Sequence, residues 1–421
     1  MGRTIIGTGI HARLTHALAL YRAILESDKP ADYVIAGYIR DHRALERESR
    51  GFVVELVYAT LRRRISFDAL ARSTASPVTA LFLAACELDF AARMTIASVL
   101  SEVDDVAAAD LAALARFSDD NEDLAFIADE GERFAAVHST PRWVVEELLE
   151  TIPRESVAEL LDGLNEPPPL SIRANTYKVT VEELADRLRA EGVRTEPGRL
   201  SPHALVAGRD KDLFSTRAFR EGLFEIQDEG SQVVSQLLDP RPGHRVLDAC
   251  AGAGGKTLHL GALMKGRGEV FAWDTDARRL SRIDRRIRRS GLQNVRVLRD
   301  ADQFAAFRAR SVSALDRVLV DAPCSGLGTV RRSPDIKLRV TPDLVELMTT
   351  KQRAILDDVS ALVKPGGRMV YATCSILPRE NGAIVEEFLS THGDFAEVER
   401  RTLTPHEHGT DGFFAVALEK K

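Results

Sequence analysis

RVLVDAPCSG, at residues 317–326, is a short apolar run that ends in turn residues. MVYATCS, at residues 369–375, has the same form further along the chain. Short apolar, β-branched runs bounded by turn residues predict buried strands of a parallel sheet. In open α/β sheets, chemistry collects just beyond the carboxyl ends of the strands. The two stretches therefore predict one site that Cys324 and Cys374 share.

The sequence around these stretches alternates between strand and helix patterns, starting after the turn-rich segment DPRPG at residues 239–243. Alternation of this kind predicts a doubly wound, Rossmann-like α/β domain, which we assign to residues 236–421. The predicted strands are 245–249, 269–273, 295–299, 316–320, 367–372 and 413–418.

A glycine-rich loop, ACAGAGGKT at residues 249–257, follows the first of these strands. Glycines between a strand and a helix let the backbone approach a ligand closely. A P-loop is excluded because Cys250 stands where its first glycine would be. Sites for NAD and for S-adenosylmethionine (SAM) both remain, since Asp274 at the end of the second strand could accept the ribose hydroxyls of either. Asp300, which ends the third strand, could accept from an adenine amino group.

The strand end at Asp321 to Cys324 favours SAM, because it resembles neither a hydride-transfer site nor the Asn-Pro-Pro-Tyr end of amino-group methyltransferases. Methylation of cytosine at C5 needs a thiolate that adds to C6, an acid near N3, and a base that removes the C5 proton. Cys374, Cys324 and Asp321 supply groups of these kinds. The alternative is that both cysteines are small apolar residues of the core.

The chain before residue 236 divides into two regions by pattern. Residues 1–135 predict an all-helical bundle, with Arg62 to Arg64 closing one helix. Residues 136–235 predict a small α+β module with strands at 170–179, 204–206 and 223–226 and a capping box at Thr180 and Glu183. The first helical faces we expect to be buried are Leu14, Leu18, Tyr21 and Leu25, then Phe52, Val53, Leu56, Val57 and Leu61.

Composition sets the class of protein. The 421 residues, 44% hydrophobic and 29% charged, predict a soluble protein of two or three domains. The start of the chain lacks a signal-peptide pattern and no apolar run reaches spanning length, so we expect no membrane segment. Four cysteines without a CxxC pair predict no zinc site and a reducing cytoplasm.

Charge is uneven along the chain. The net charge of −6 argues against nucleic-acid binding over the whole surface. Seven arginines crowd residues 278–289, whereas residues 102–132 are acidic. The basic segment is either an RNA-binding face or a solvated helix.

The motifs resemble those of the Sun/Fmu family of RNA cytosine-5 methyltransferases, especially its bacterial type that acts on small-subunit ribosomal RNA. The helical start resembles the NusB-like domain fused to that type, and the middle module then corresponds to an RRM-like fold. The likeness rests on residues 28–32, 52–55, 173–176, 227–232, 248–257, 321–328, 331–337, 371–375 with Pro378, Glu380 and Asn381, and 409–414.

This resemblance implies roles for individual residues. Cys374 would be the nucleophile, Cys324 would assist release of the methylated base, and Asp321 would touch base and cofactor. Candidate RNA contacts are Arg331, Arg332, Lys337 and Arg173. The SAM contacts would be Cys250, Ala251, Gly252, Ala253, Gly254, Gly255, Lys256, Asp274, Asp300 and Asp321.

Two departures from the family pattern concern local contacts. Ala253 replaces a proline of the cofactor loop, and Leu338 stands where a tryptophan is common. The target cytosine must leave its stack, which favours a single-stranded or loop position.

Other hypotheses from the sequence are a non-catalytic RNA-binding or ribosome-assembly factor, and a methyltransferase of transfer RNA or DNA. DNA cytosine-5 enzymes use the Pro-Cys thiol, here Cys324, as the nucleophile. We expect a cytoplasmic monomer without a metal.

Overall fold

The computed structural model describes residues 10–71, 75–88, 124–209 and 211–421. The chain forms two compact units. The helical unit comprises residues 1–166 and 330–340, and the sheet unit comprises residues 167–329 and 341–421. The predicted boundaries at 135/136 and 235/236 differ from this division, since residues 136–166 group with the helical unit and the two predicted later domains share one unit. The chain start and most of the acidic stretch at 102–132 lie outside the described residues.

The described part of the helical unit consists of helices. Leu14, Leu18 and Tyr21 are buried as predicted, whereas Leu25 is 42% exposed because it lies at the last position of its helix. The helices are α1 (Ile10–Leu25), α2 (Ala31–Asp41), α3 (Arg47–Ala71), α4 (Pro77–Leu88), α5 (Glu130–Val137), α6 (Arg142–Leu149), α7 (Arg154–Asn165) and a short turn, Ile336–Arg339.

Helix α3 ends later than the sequence predicted. It continues to Ala71, so the prediction that Arg62 to Arg64 close a helix is wrong. Buried Phe67 and Leu70 extend the apolar stripe beyond these arginines. Arg64 is itself buried and donates to Tyr21 Oη (2.8 Å) and to the Ala75 carbonyl (2.7 Å).

The first part of the sheet unit is a small α+β layer, as predicted. Its four antiparallel strands lie in the order β2-β3-β1-β4, and the chain order βαββαβ is that of the split βαβ motif. The Thr180–Glu183 capping box is present, and the three-residue edge strand β2 was not predicted. The elements are β1 (Ser171–Ala174), α8 (Val181–Ala190), β2 (Thr195–Pro197), β3 (Ala204–Ala207), α9 (Arg217–Arg220) and β4 (Phe224–Ile226).

The second part is a seven-stranded sheet with the order β10-β11-β9-β8-β5-β6-β7. The five strands from β9 to β7 run parallel, and β11 is antiparallel to both of its neighbours. All six predicted strands are present, at β5 (Arg245–Asp248), β6 (Glu269–Ala272), β7 (Val295–Val297), β8 (Leu315–Asp321), β9 (Val363–Thr373) and β11 (Phe413–Lys420); β10 (Phe395–Leu403) was missed.

Helices cover the faces of this sheet and bury two apolar layers against it. The chain runs from β5 to β6 and β7 on one side, then returns to β8 on the other side of β5. The carboxyl ends of β5 and β8 therefore flank the topological switch point, where open α/β sheets bind ligands. The helices are α10 (Glu229–Leu237), α11 (Gly255–Leu263), α12 (Ala277–Leu280), α13 (Ile283–Ser290), α14 (Ala301–Arg310), α15 (Pro342–Ser360), α16 (Gly382–Thr391) and α17 (Pro405–His408).

None of the described helices is long and apolar enough to cross a lipid bilayer.

Candidate active site

A cavity of about 730 Å³ opens at the switch point of the large sheet. This volume is in the range of pockets that hold a cofactor-sized ligand. Both predicted cysteines and two of the predicted aspartates, Asp274 and Asp321, line it. The remaining lining includes Ala249, Cys250, Trp273, Thr275, Asp276, Arg279, Phe304, Ala322, Pro323, Ala354, Ile355, Asp358 and Val359.

The glycine loop turns sharply between β5 and α11. Gly252 and Gly254 have φ of +53° and +87°, a left-handed conformation that other residues adopt at a cost. A Cβ at Gly254 would lie 2.4 Å from Ile283 Cγ1, so glycine is also required there for packing. Asp274 fastens the loop, since its Oδ2 accepts from the Gly252 N–H (2.7 Å).

Two arginines hold the carbonyl groups of the same loop. Arg286 donates to the Ala253 carbonyl (2.9 Å), and Arg173 donates to the Gly255 carbonyl (2.8 Å). Arg173 is 2% exposed, and burial lowers the pKa of its guanidinium to about 9. Arg173 therefore supports the cofactor loop from β1, and the structure does not present it to a substrate.

Lys256, at the start of α11, forms an ion pair with Asp321 at the end of β8 (Nζ to Oδ2, 2.7 Å). Phe413 contacts the same ammonium, which lies 5.3 Å from the ring centroid. The pair joins the glycine loop to the strand end that carries Cys324. Asp321 thus lies in the cavity lining, between the glycine loop and the turn that carries Cys324.

The sulfurs of Cys324 and Cys374 are 3.4 Å apart, although 50 residues separate them in the chain. The hydrogen bond to Cys374 and burial raise the pKa of Cys324 well above its ordinary value. Either sulfur can donate in this contact. The two thiols are therefore an interacting pair within one cavity lining.

Glu380 links the turn that contains Cys324 to the turn that contains Cys374. Its carboxylate is fully buried and accepts from the Ser325 N–H (2.8 Å), the Ser325 hydroxyl (2.6 Å) and the Ser375 hydroxyl (2.5 Å). Gln352 Nε2 adds a fourth hydrogen bond at 3.2 Å. Glu380 belongs to one of the motifs identified in the sequence, but its hydrogen bonds to Ser325, Ser375 and Gln352 could not be predicted from a single sequence.

We expect Glu380→Ala to lower kcat for methyl transfer by roughly 10- to 1000-fold while the KM for SAM changes little, because four donors lose their shared acceptor and the sulfurs lose their alignment. Glu380→Gln, which keeps one acceptor oxygen, should recover part of the rate. Glu387→Gln is the matched control, since Glu387 pairs with Arg353 at the surface. Steady-state kinetics with methyl-labelled SAM measures the effect, and unchanged kcat in Glu380→Ala would remove this positioning role.

Several predicted residues lie elsewhere. Asp300 is exposed and caps α14 by accepting from the Gln303 N–H (2.8 Å), so the structure does not bring it into the cavity lining. Arg331, Arg332 and Lys337 belong to the helical unit. Lys337 is buried and donates to the carbonyls of Arg62 and Ser139 and to Asn165 Oδ1 (2.6–2.7 Å), so its ammonium has no free position for RNA.

An aromatic pair that sequence reasoning missed lines the cavity. Trp273 and Phe304 stack with ring centroids 4.6 Å apart and planes 5° from parallel. Trp273 directly precedes Asp274, which was a signal available in the sequence. Phe304 lies one turn along α14 from Asp300. An apolar wall beside the carboxylate of Asp274 suits an adenine ring.

Charge in the cavity suits a cationic ligand with one carboxylate. Asp274, Asp276, Asp321 and Asp358 line it, together with the single guanidinium of Arg279. Arg279 Nη2 lies 3.0 Å from an ideal Cβ at Gly252, so it reaches the glycine loop. SAM carries a sulfonium, an ammonium and a carboxylate, and the residues present fit these groups.

Asp248, at the end of β5, gives the protein a pH-dependent stability. Burial raises the pKa of its carboxyl from 3.8 to about 7. The folded state therefore binds more protons than the unfolded chain between these values, so the free energy of unfolding falls as pH rises from about 4 to about 7. The loss is at most about 4 kcal/mol.

We expect Asp248→Asn to remove most of that dependence, because asparagine keeps an acceptor for the Thr257 hydroxyl (2.7 Å) but does not titrate. Urea unfolding of both proteins at pH 5 and pH 8 measures it. The quantity compared is the difference in unfolding free energy between pH 5 and pH 8. Any destabilisation by the new amide that is the same at both pH values therefore cancels. An equal pH dependence in the two proteins would show that another group is responsible.

Comparison with known proteins identifies the family of the chain. A family model described as 16S rRNA methyltransferase RsmB/F matches residues 235–419, and a model of the RsmF/B-like ferredoxin-like domain matches residues 140–212. A probable ribosomal RNA small subunit methyltransferase B of Bacillus subtilis is 29% identical over 94% of this chain and 96% of its own. Ribosomal RNA small subunit methyltransferase B of Shewanella oneidensis is 34% identical over 67% of each chain.

Solved structures with similar folds include the following two. The crystal structure of PH0851 has a TM-score of 0.78 and 27% identity, and the match covers 97% of this chain and 98% of that one. NSun6 from Pyrococcus horikoshii with SFG has a TM-score of 0.61 over 68% of this chain and 99% of that one, at 21% identity, which supports the fold. Together with the cavity and its residues, these matches place the chain in the RsmB/F family of ribosomal RNA methyltransferases, which use SAM as the methyl donor.

Proposed function

We propose that this protein methylates the C5 carbon of a cytosine in small-subunit ribosomal RNA through a transient bond between Cys374 Sγ and cytosine C6. The observation that carries the proposal is the contact of the two sulfurs, 3.4 Å apart, in the lining of a cavity whose other residues fit SAM. A methyltransferase acting on an exocyclic amino group has no need of two thiols in its site.

SAM supplies an electrophilic methyl group when it is bound. The glycine loop, Asp274 and Arg279 would hold its polar ends, and Trp273 with Phe304 would hold its adenine. Asp321 lines the same cavity as the cysteines, and we assign its carboxyl to the contact with the cytosine ring at N3. Its ion pair with Lys256 fixes that position.

Cys374 starts the reaction by adding to C6, which gives C5 the electron density it needs to attack a methyl group. After methyl transfer the C5 proton must pass to a base before Cys374 can leave C6 as a thiolate. We assign that role to Cys324, which contacts the sulfur of Cys374 and accepts the C5 proton once its own proton has passed to solvent in the cavity.

RNA recognition involves the basic segment at residues 278–289. Arg286 and Arg289 are committed to Glu225, whereas Arg282, Arg285 and Arg288 are exposed. The exposed arginines are the part of the segment we assign to phosphate contacts. We also propose that the helical unit is NusB-like and docks RNA, and that Arg331 and Arg332 contact RNA. The proposal further includes a monomeric state and a cytoplasmic location.

The test is methylation of defined nucleic acids by the purified protein with methyl-labelled SAM. Naked small-subunit RNA, assembled small subunits, transfer RNA and DNA are compared, and the product nucleoside is identified by mass spectrometry. We expect 5-methylcytidine in small-subunit RNA, at one position located by bisulfite sequencing. Label in N4-methylcytidine, or in DNA alone, would refute the proposal.

A further inference from the structure

The two cysteines of the site are held for reaction with each other as well as with a substrate. Their sulfurs are in contact at 3.4 Å, and a disulfide needs about 2 Å, a gap that small side-chain rotations can close. Adjacent parallel strands carry them, with Asp321 opposite Ala372 in the register of β8 and β9.

The surrounding hydrogen bonds keep this pair together. Glu380 accepts from Ser325 and Ser375, the residues that directly follow the two cysteines. The Gly328 N–H donates to the Cys374 carbonyl (2.9 Å), which ties the loop after Cys324 to the turn that contains Cys374. The backbone is therefore already placed for a bond between the sulfurs, with little loss of chain entropy on forming it.

Access is sufficient for a small oxidant. Both side chains are partly exposed and line the cavity. Cys250 also lines the cavity, but the thiol in contact with Cys374 is that of Cys324. The contact thus distinguishes a pair placed to bond with each other from a third cysteine of the same cavity.

We propose that hydrogen peroxide converts Cys324 and Cys374 into a reversible disulfide, which switches methyl transfer off. The Cys374 thiolate attacks one peroxide oxygen and becomes a sulfenic acid, with the other oxygen leaving as hydroxide. The Cys324 sulfur then attacks the sulfenic sulfur, and water leaves as the disulfide forms. In total, two thiols lose two protons and two electrons, and one peroxide becomes two waters.

The loss of activity rests on the proposed function, whereas the disulfide does not. Disulfide formation removes the nucleophile and its partner together, so no bond to cytosine can form. A thiol reductant restores both groups. Formation of the disulfide also protects Cys374 from oxidation to sulfinic acid, which is not reversed by such reductants.

The experiment treats the wild-type protein with hydrogen peroxide near equimolar amounts, blocks free thiols with N-ethylmaleimide, and maps peptides by mass spectrometry. We expect a cross-linked peptide pair containing Cys324 and Cys374, an intact mass lower by two hydrogens, and loss of the pair after dithiothreitol. Cys250→Ala should still form the pair. Cys324→Ala should instead accumulate oxygen on Cys374.

The outcomes separate this inference from the proposed function. Oxygen adducts without a cross-link in the wild-type protein would overturn the inference, even if the protein methylates RNA normally. A cross-link in a protein that methylates no RNA would uphold the disulfide and refute the function. Where both hold, activity should fall in step with the cross-linked fraction and return with the reductant, and full activity of the cross-linked protein would overturn the switch.

Discussion

Cys374→Ala is expected to abolish methyl transfer to RNA, with a loss of roughly 10⁴-fold or more in kcat, which is the scale seen when a covalent nucleophile is removed. Without addition at C6, the C5 carbon of the intact ring cannot attack the methyl group. The resemblance to the family assigns this role to Cys374, and its sulfur lies in the cavity lining in contact with Cys324.

Binding of SAM should be unchanged in Cys374→Ala, since the glycine loop and Asp274 hold each other independently of the cysteine. Isothermal titration with SAM is therefore the control for folding, and incorporation of labelled methyl groups into RNA is the assay. If Cys374→Ala retained more than a small fraction of wild-type turnover, the covalent mechanism through this residue would be refuted.

The parallel core of the large sheet was predictable because its strands carry strong local signals. Residues 318–320 and 369–372 are uninterrupted hydrophobic runs and are fully buried, as is typical of strands covered on both faces. Strand β10 was missed because Glu397, Glu399, Arg400 and Arg401 hide its alternation. It is the edge strand of the sheet, where charge on the outer face is tolerated and discourages further pairing.

The convergence of Cys324 and Cys374 was predictable for a geometric reason. Two residues beyond the carboxyl ends of neighbouring parallel strands must meet, and the strand order makes β8 and β9 neighbours. The hydrogen-bond partners of individual side chains cannot be predicted from strand order in this way. Arg173 and Lys337 were candidate RNA contacts because they lie in motifs that resemble those of the family, yet both are buried and donate to backbone carbonyl groups.

The role of Asp300 also could not be decided from the sequence. A strand-end aspartate suits an adenine contact and a helix cap equally well in sequence, and the structure uses it as the cap of α14. The glycine loop was recognisable because positive φ angles demand glycine at Gly252 and Gly254. The residues that fix the loop, Arg173 and Arg286, come from distant parts of the chain, so a pattern in one segment could not reveal them.

Cys324→Ala is expected to trap a covalent complex between the protein and RNA. Addition of Cys374 to C6 and methyl transfer would proceed, but removal of the C5 proton would be slow without the neighbouring sulfur. Multiple turnover should fall by on the order of 100-fold or more, the range attributed to a positioned proton-transfer group. The adduct should depend on SAM and migrate more slowly than free protein on a denaturing gel.

The assignment of the two thiols depends on which variant accumulates this adduct. Cys324→Ala with Cys374→Ala in one chain should give none, which shows that the trapped bond comes from Cys374. A DNA-type arrangement, with Cys324 as the nucleophile, requires the opposite pattern, in which Cys374→Ala accumulates the adduct and Cys324→Ala does not. Since the two sulfurs are in contact and share one site, the geometry allows either direction of attack, and the adduct pattern of the two variants is the observation that assigns the nucleophile.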